Sequence, residues 1–252
     1  MSEAISFKNN KGQVLKGFVH VPRKKADIGV LILHGFPGCM CSGRKRLAGA
    51  LTAKGLYAMR FDFSGSHQSQ GKFEDKLMSQ EVKEVKYAID YFMKNYPIKK
   101  LVLHGHSTGA IDAALYAHKD KRIWKLVLAG VVSHLNEAVR YDFTDEQMRD
   151  FWLKGHIVYR RKNKWYNMKR LKKAFYDEFF TLSIPKAMKR YNRPLLIIHG
   201  TEDMIPVKKD PIELHKLSNK PKKLVLIKGA DHGFKKREHF RKYVGEIVRF
   251  VR

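Results

Sequence analysis

The sequence predicts an α/β protein: a mostly parallel sheet flanked by helices, with an inserted lid over one edge of the sheet. Three observations predict it. Short Val/Ile/Leu runs alternate with amphipathic stretches along the chain, which is the pattern of βα units. Several of those runs are apolar at every position, as strands covered on both faces must be. Late in the chain more than 60 residues separate two successive runs, too long for an ordinary connection. The length of 252 residues suits one such domain, with a core from residues 1–132 and 194–252 and a lid over 133–193. A chain of that size buries most of its apolar surface without covalent staples.

The runs at 29–34, 57–61, 101–105, 125–129, 194–199 and 223–227 read as the strands. Residues 5–7 and 14–21 precede them and read as an antiparallel hairpin around Lys11-Gly12. The clearest helix spans 79–96. Val82, Val85, Ile89, Phe92 and Met93 recur at helical spacing, Ser79 offers an N-cap and Pro97 a stop. A last helix, about 235–251, carries Phe240, Val244, Ile247, Val248 and Val251 on one side. Within the lid, residues 156–159 turn through 161–164 into Trp165-Tyr166 as a second hairpin.

Composition narrows the function classes. Hydrophobic content is 44%, ordinary for a globular domain, and no apolar run is long enough to span a bilayer. The first residues lack a basic segment followed by an apolar one, so a cytoplasmic protein is expected. Cys39 and Cys41, two apart, are too few for a structural zinc site and are expected as unpaired thiols. Fifty-one Lys and Arg face 24 acidic residues, a net charge of +27. They are scattered along every segment. A solvated basic surface is the first reading, with affinity for anionic surfaces or polyanions the second.

The chemistry lies in three loops. Leu101-Val102-Leu103-His104 leads into Gly105-His106-Ser107-Thr108-Gly109, and a helical pattern, 110–117, follows at once. A strand, Gly-x-Ser-x-Gly and a helix make the nucleophile elbow of α/β hydrolases. The sharp turn lifts the serine above the sheet edge and crowds its neighbours, so glycine is needed on both sides. The pattern alone would occur by chance in about one chain in ten of this length, and the flanking strand and helix raise it above chance. A serine nucleophile needs a base and an acid that orients the base. In this fold they follow in the order acid, then His. Two loops at strand ends qualify: His199-Gly200-Thr201-Glu202-Asp203 and Gly229-Ala230-Asp231-His232. His232 is the base. Asp203, Glu202 and Asp231 compete as the acid, with Asp231 disfavoured because adjacent side chains seldom face one another. An oxyanion hole needs two backbone donors. The Thr108 amide supplies one. The loop His34-Gly35-Phe36-Pro37-Gly38 supplies the other, and because Pro37 has no N–H the choice falls on Phe36. His34 and His104 end buried strands and are expected as packed or hydrogen-bonded groups, and the His106 side chain is expected to point away from Ser107. No cluster at metal-ligand spacing and no phosphate-binding loop stands out, so neither metal nor cofactor is expected.

Together with these motifs, Arg60-Phe61-Asp62-Phe63-Ser64-Gly65 followed by Gly71-Lys72-Phe73-Glu74-Asp75 resembles the cinnamoyl/feruloyl esterase-like group of α/β-hydrolase serine esterases. The resemblance covers roughly residues 1–130 and 194–252. It implies Ser107, Asp203 and His232 as the triad, Asp203 over Glu202, with Phe36 and Thr108 as oxyanion donors. It does not extend through the lid, where residues 154–193 carry thirteen Lys or Arg against Asp177 and Glu178. Among the aromatics there, Trp152 and Trp165 are the candidates for a substrate pocket.

The expected function is therefore hydrolysis of small or short-acyl carboxylic esters through an acyl-enzyme. A peptidase, thioesterase or acyltransferase would use the same triad. The rival from another class is a basic polyanion-binding module, which would retain heparin binding and ignore a fluorophosphonate.

Overall fold

A computed structural model describes residues 1–41, 43–205 and 209–252. From the N-terminus run β1 (Ser2–Lys8), β2 (Val14–His20), β3 (Ile28–Leu33), α1 (Gly43–Ala53), β4 (Tyr57–Phe61), α2 (Met78–Asn95), β5 (Lys100–His106), α3 (Thr108–Ala117) and β6 (Ile123–Ala129). An insertion follows, made of α4 (Leu135–Asp142), α5 (Asp145–Lys154), β7 (His156–Val158), β8 (Arg170–Lys172), α6 (Lys173–Thr181) and α7 (Ile184–Met188). The chain returns through β9 (Leu195–Gly200), α8 (Asp210–Leu217), β10 (Lys222–Ile227) and α9 (Arg237–Val251).

Eight strands form one sheet in the order β1-β2-β4-β3-β5-β6-β9-β10. β2 is antiparallel to both β1 and β4, and every other neighbouring pair is parallel. The pleat explains why the central runs are apolar throughout. Leu31, Leu33, Leu101, Leu103, Leu126 and Leu128 face one buried layer. Their neighbours Val30, Ile32, Val102 and Val127 face the other. α2 and α3 cover the first face with Val85, Ile89, Phe92, Ala110 and Ala114, and α1 and α9 cover the second with Leu47, Leu51, Tyr243 and Ile247. The parallel arrangement carries the loops after β3, β5, β6, β9 and β10 to one edge, where sites in such sheets form.

The insertion packs into the first layer. Phe151, Ile157, Leu171, Phe175 and Phe179 are buried within it. Phe143 meets Phe151 edge-on at 5.1 Å between ring centroids, and Phe151 stacks on Tyr176 at 5.0 Å. A capping box starts α5: Thr144 Oγ1 accepts from the Gln147 amide (3.2 Å), and Gln147 Oε1 accepts from the Thr144 amide (3.0 Å).

Three local expectations are corrected. Ser79 is not the N-cap of α2; Leu77 is, and the Ser79 amide in the first turn donates to Glu178 Oε2 of α6 at 3.0 Å. A partner from the insertion does the work of a local cap. The second hairpin begins at residue 156 as expected, but its return strand is β8, and Trp165-Tyr166 lie in the connection between the two strands. The register places His156 opposite Lys172, and both aromatics, partly buried, pack against the first layer. Cys39 and Cys41 are joined to one another, with Cα atoms 5.3 Å apart, inside the range a disulfide spans. The residue between them is held at both ends. The Met40 amide donates to Asp62 Oδ1 (2.6 Å), and its carbonyl accepts from Arg60 Nη1 (2.9 Å), so the loop folds back on itself.

Candidate active site

Ser107 sits between β5 and α3 with φ 58° and ψ −130°, a conformation that costs a non-glycine residue on the order of 1–3 kcal/mol. Its amide donates to the Ala129 carbonyl at 3.0 Å, and its carbonyl accepts from Ala110 at 2.7 Å, which fixes the turn between β6 and the first turn of α3. The flanking glycines have no room for a side chain. A Cβ on Gly105 would lie 2.1 Å from the Gly109 carbonyl oxygen, and one on Gly109 would lie 2.6 Å from that of His34. The crowding expected from the motif is therefore backbone against backbone, which no rotamer change relieves.

The loops after β9 and β10 bring two of the other candidates together. His232 Nδ1 donates to Asp203, whose carboxylate oxygens both lie 2.9 Å away. The Asp203 side chain is fully buried, and its Oδ1 also accepts from the Ile205 amide at 2.9 Å. The competing acids face elsewhere. Asp231 accepts from the Lys235 amide, and Glu202 is exposed beyond Gly229. The imidazole rests on Gly130, where φ is +56° and an added Cβ would come 2.8 Å from the ring's Cε1. Ser107 and His232 line the same cleft and the same inner cavity. Among the described residues Ser107 Oγ makes no hydrogen bond, and the His232 ring bonds to Asp203.

The other histidines take supporting positions. His34 donates from Nδ1 to the Gly35 carbonyl (3.0 Å) and accepts at Nε2 from the Phe63 amide (3.2 Å); burial lowers its pKa to about 3, so it stays neutral. His104 is buried against the Tyr243 hydroxyl, again with a pKa lowered to about 3 by burial. His106 turns from Ser107 and donates from Nε2 to the His232 carbonyl at 2.7 Å. Burial holds its pKa well below the usual value, so it acts as a neutral strut for the His232 loop.

The loop after β3 is held from two sides. Below it, Arg60 and Asp62 grip Met40, which gives the Arg-Phe-Asp-Phe run a physical task. Above it, the Phe36 ring stacks on Phe175 of α6 at 4.4 Å and on Phe73 at 5.6 Å. The Phe36 and Thr108 amides donate to no acceptor among the described residues, which leaves both free for a ligand oxygen.

Two spaces meet at Ser107. An open cleft of about 590 Å³ is lined by Gly35, Phe36, Arg44, His67, Trp165 and Tyr166 as well as by Ser107 and His232. An inner cavity of about 30 Å³ lies behind it, walled by Ile111, Val132, Ala138, Ile205 and Asp142. Trp165 lies in the cleft wall, 5.5 Å from Phe73 and edge-on to it. Trp152 does not. It is 68% exposed on α5, with the Lys173 ammonium 4.0 Å over its ring, so it is not the pocket residue expected from the sequence. Its aromatic face was spent on a surface cation–π contact. Three residues absent from the sequence reading belong to the site: Gly130, Asp142 and Arg44. Gly130, directly after a strand, carried a signal. Asp142 and Arg44 carried none, since each sits among charges indistinguishable from a solvated surface. Burial pushes the Asp142 carboxyl up to about 6, against the opposing pull of His232. Among the described residues no group of three or more His, Cys, Asp or Glu is arranged to hold a metal, and no helix is long and apolar enough to cross a membrane.

Comparison with known proteins agrees with this architecture. Residues 24–176 match the family described as serine aminopeptidase, S33. No curated protein matches the chain in sequence. Among solved structures, ferulic-acid-bound Est1E from Butyrivibrio proteoclasticus superposes with a TM-score of 0.81 at 22% identity, covering 98% of this chain and 99% of that one. The α/β hydrolase GrgF from Penicillium sp. sh18 gives 0.79 at 17%, covering 99% and 98%. The esterase Pf2001 from Pyrococcus furiosus gives 0.76 at 18%, covering 100% and 91%. At these identities the likeness establishes the fold. With the family match spanning more than half of its length, the chain belongs to the serine aminopeptidase S33 family of α/β-fold serine hydrolases.

Proposed function

We propose that the protein is a serine carboxylic-ester hydrolase acting on short-acyl esters, with Ser107, His232 and Asp203 as its triad. The observation that carries this is a serine held at positive φ on a strand-to-helix turn, sharing its cleft with an imidazole already bonded to a buried carboxylate. Ser107 Oγ attacks the ester carbonyl while His232 Nε2 takes its proton. Asp203 holds the Nδ1–H tautomer and stabilises the imidazolium. The Phe36 and Thr108 amides, the second reinforced by the N-terminus of α3, receive the oxyanion. The alcohol leaves with the proton from His232, and water then cleaves the acyl-enzyme with His232 again as base. The inner cavity of about 30 Å³ has room for only a few carbons, which favours a short acyl group. The insertion, walling the cleft through Trp165 and Asp142, serves as the lid.

Asp142 favours a second reading. A carboxylate beside the nucleophile is also suited to a free α-amino group, as an aminopeptidase requires. A substrate panel separates the two. On the ester reading a fluorophosphonate labels Ser107 by mass mapping, and p-nitrophenyl acetate and butyrate are hydrolysed faster than longer acyl chains. Aminoacyl p-nitroanilides are then cleaved far more slowly. A label on another residue, or anilides turned over while esters are not, overturns it.

Asp142 also sets an expected pH effect. Its carboxyl, raised by burial, changes charge near pH 6. Asp142→Asn removes that charge change, so the inflection it contributes to the kcat/KM profile near pH 6 disappears. A profile unchanged near pH 6 would show that this carboxyl does not bear on catalysis.

A further inference from the structure

The cleft contains a cation that the proposed chemistry does not use. Arg44 lies in the first turn of α1 and, among the described residues, forms no ion pair with a carboxylate. One of its donors, Nη1, reaches His106 Nδ1 at 3.4 Å, and its Nε has no hydrogen-bond partner among the described residues. The titratable neighbours it interacts with are the uncharged Tyr243, His34, His104 and His106. Burial correspondingly lowers the guanidinium's pKa. Its position adds a second penalty. A cation at a helix N-terminus opposes the helix dipole, and the first turn of α1 carries no acid to offset it. A guanidinium withdrawn from water without a counter-charge is costly, and such sites in clefts are characteristic of ligand-binding positions. What remains exposed of Arg44 opens into the wall of the catalytic cleft, beside Cys39 and Cys41. Lys164, the other cationic chain in that wall, is exposed and screened.

We propose that Arg44 anchors a carboxylate carried by the alcohol part of the substrate, so that the preferred substrates are short-acyl esters of hydroxy-carboxylic acids. The division of space gives the orientation. The small inner cavity takes the acyl group, which leaves the alcohol in the open cleft that Arg44 lines. Arg supplies a planar pair of donors that matches a carboxylate. The assignment rests on the ester-hydrolase reading and adds a substrate class to it.

The test compares 4-acetoxybenzoate with the neutral, near-isosteric 4-acetoxybenzamide. The wild type is expected to favour the benzoate by about 10- to 100-fold in kcat/KM, the range of a charge-assisted hydrogen bond, mainly through KM. Arg44→Gln brings the ratio near unity, and Arg44→Lys retains part of it. Arg44 also steadies His106, but loss of that contact slows both esters alike and leaves their ratio in place. A second measurement needs no variant: benzoate should inhibit p-nitrophenyl acetate hydrolysis competitively and benzamide should not. Equal rates for the two esters in the wild type, an unchanged ratio in Arg44→Gln, or equal inhibition by benzoate and benzamide overturns the assignment. If p-nitrophenyl acetate itself is not hydrolysed, it is the underlying esterase reading that has failed.

Discussion

Ser107→Ala is expected to lower kcat/KM for p-nitrophenyl acetate by about 10⁴-fold or more and to abolish fluorophosphonate labelling. The substitution removes one oxygen from a residue whose backbone is already fixed by bonds to Ala129 and Ala110. Folding should therefore be unaffected, with an unchanged melting transition. At 1.36 kcal/mol per decade, a 10⁴-fold loss corresponds to about 5.5 kcal/mol of transition-state stabilisation. The residual rate would come from the oxyanion donors and binding, which stay in place. Since alanine cannot form the acyl-enzyme, the loss should fall on kcat with KM little changed. A variant that kept even a tenth of wild-type turnover would remove Ser107 from the mechanism.

Asp203→Asn is expected to cost about 10⁴-fold in kcat. An amide of the same size keeps an oxygen for the Ile205 amide, so the loop should hold its shape. It loses the charge that stabilises the imidazolium. Its NH₂ group can also present itself to Nδ1, which turns the tautomer and puts the ring proton on Nε2, facing Ser107. The comparison that isolates the effect uses the neighbouring acids. Glu202→Gln and Asp231→Asn, whose side chains lie away from the imidazole, should stay within a few-fold of wild type. Comparable losses in all three would mean that the general negative potential matters rather than the Asp203–His232 bond.

The parts of this site readable from sequence are those where backbone geometry demands a residue type. Gly105 and Gly109 are forced by contacts of 2.1 and 2.6 Å to neighbouring carbonyl oxygens, so the demand is written as glycine. The strands were readable because a pleat buried on both faces needs apolar residues at consecutive positions. α1 and α8 were not picked out, since each buries few apolar side chains and neither shows a strong stripe. The Ser79 cap failed because Glu178, 99 residues distant, satisfies the helix terminus. The cysteine pairing was missed because the clamp on Met40 comes from β4 and the residue just beyond it, which no local pattern reveals.

By itself the sequence determined the α/β class, the strand order along the chain and the three loops that hold the candidate nucleophile, acid and base. Each follows from periodicity or from a steric need local to a few residues. The tertiary structure decided everything that depends on burial. It placed Asp203, rather than its neighbours, buried against His232, and it sent Trp152 to the surface and Trp165 to the cleft. Five of the chain's sixteen arginines, but only one of its thirty-five lysines, line a single surface groove between α1 and α9. Another arginine, Arg44, stands in the cleft that Ser107 and His232 line. In the sequence all these charges look alike, because a charge acquires its meaning from the water and counter-charges around it, and only the folded chain arranges those.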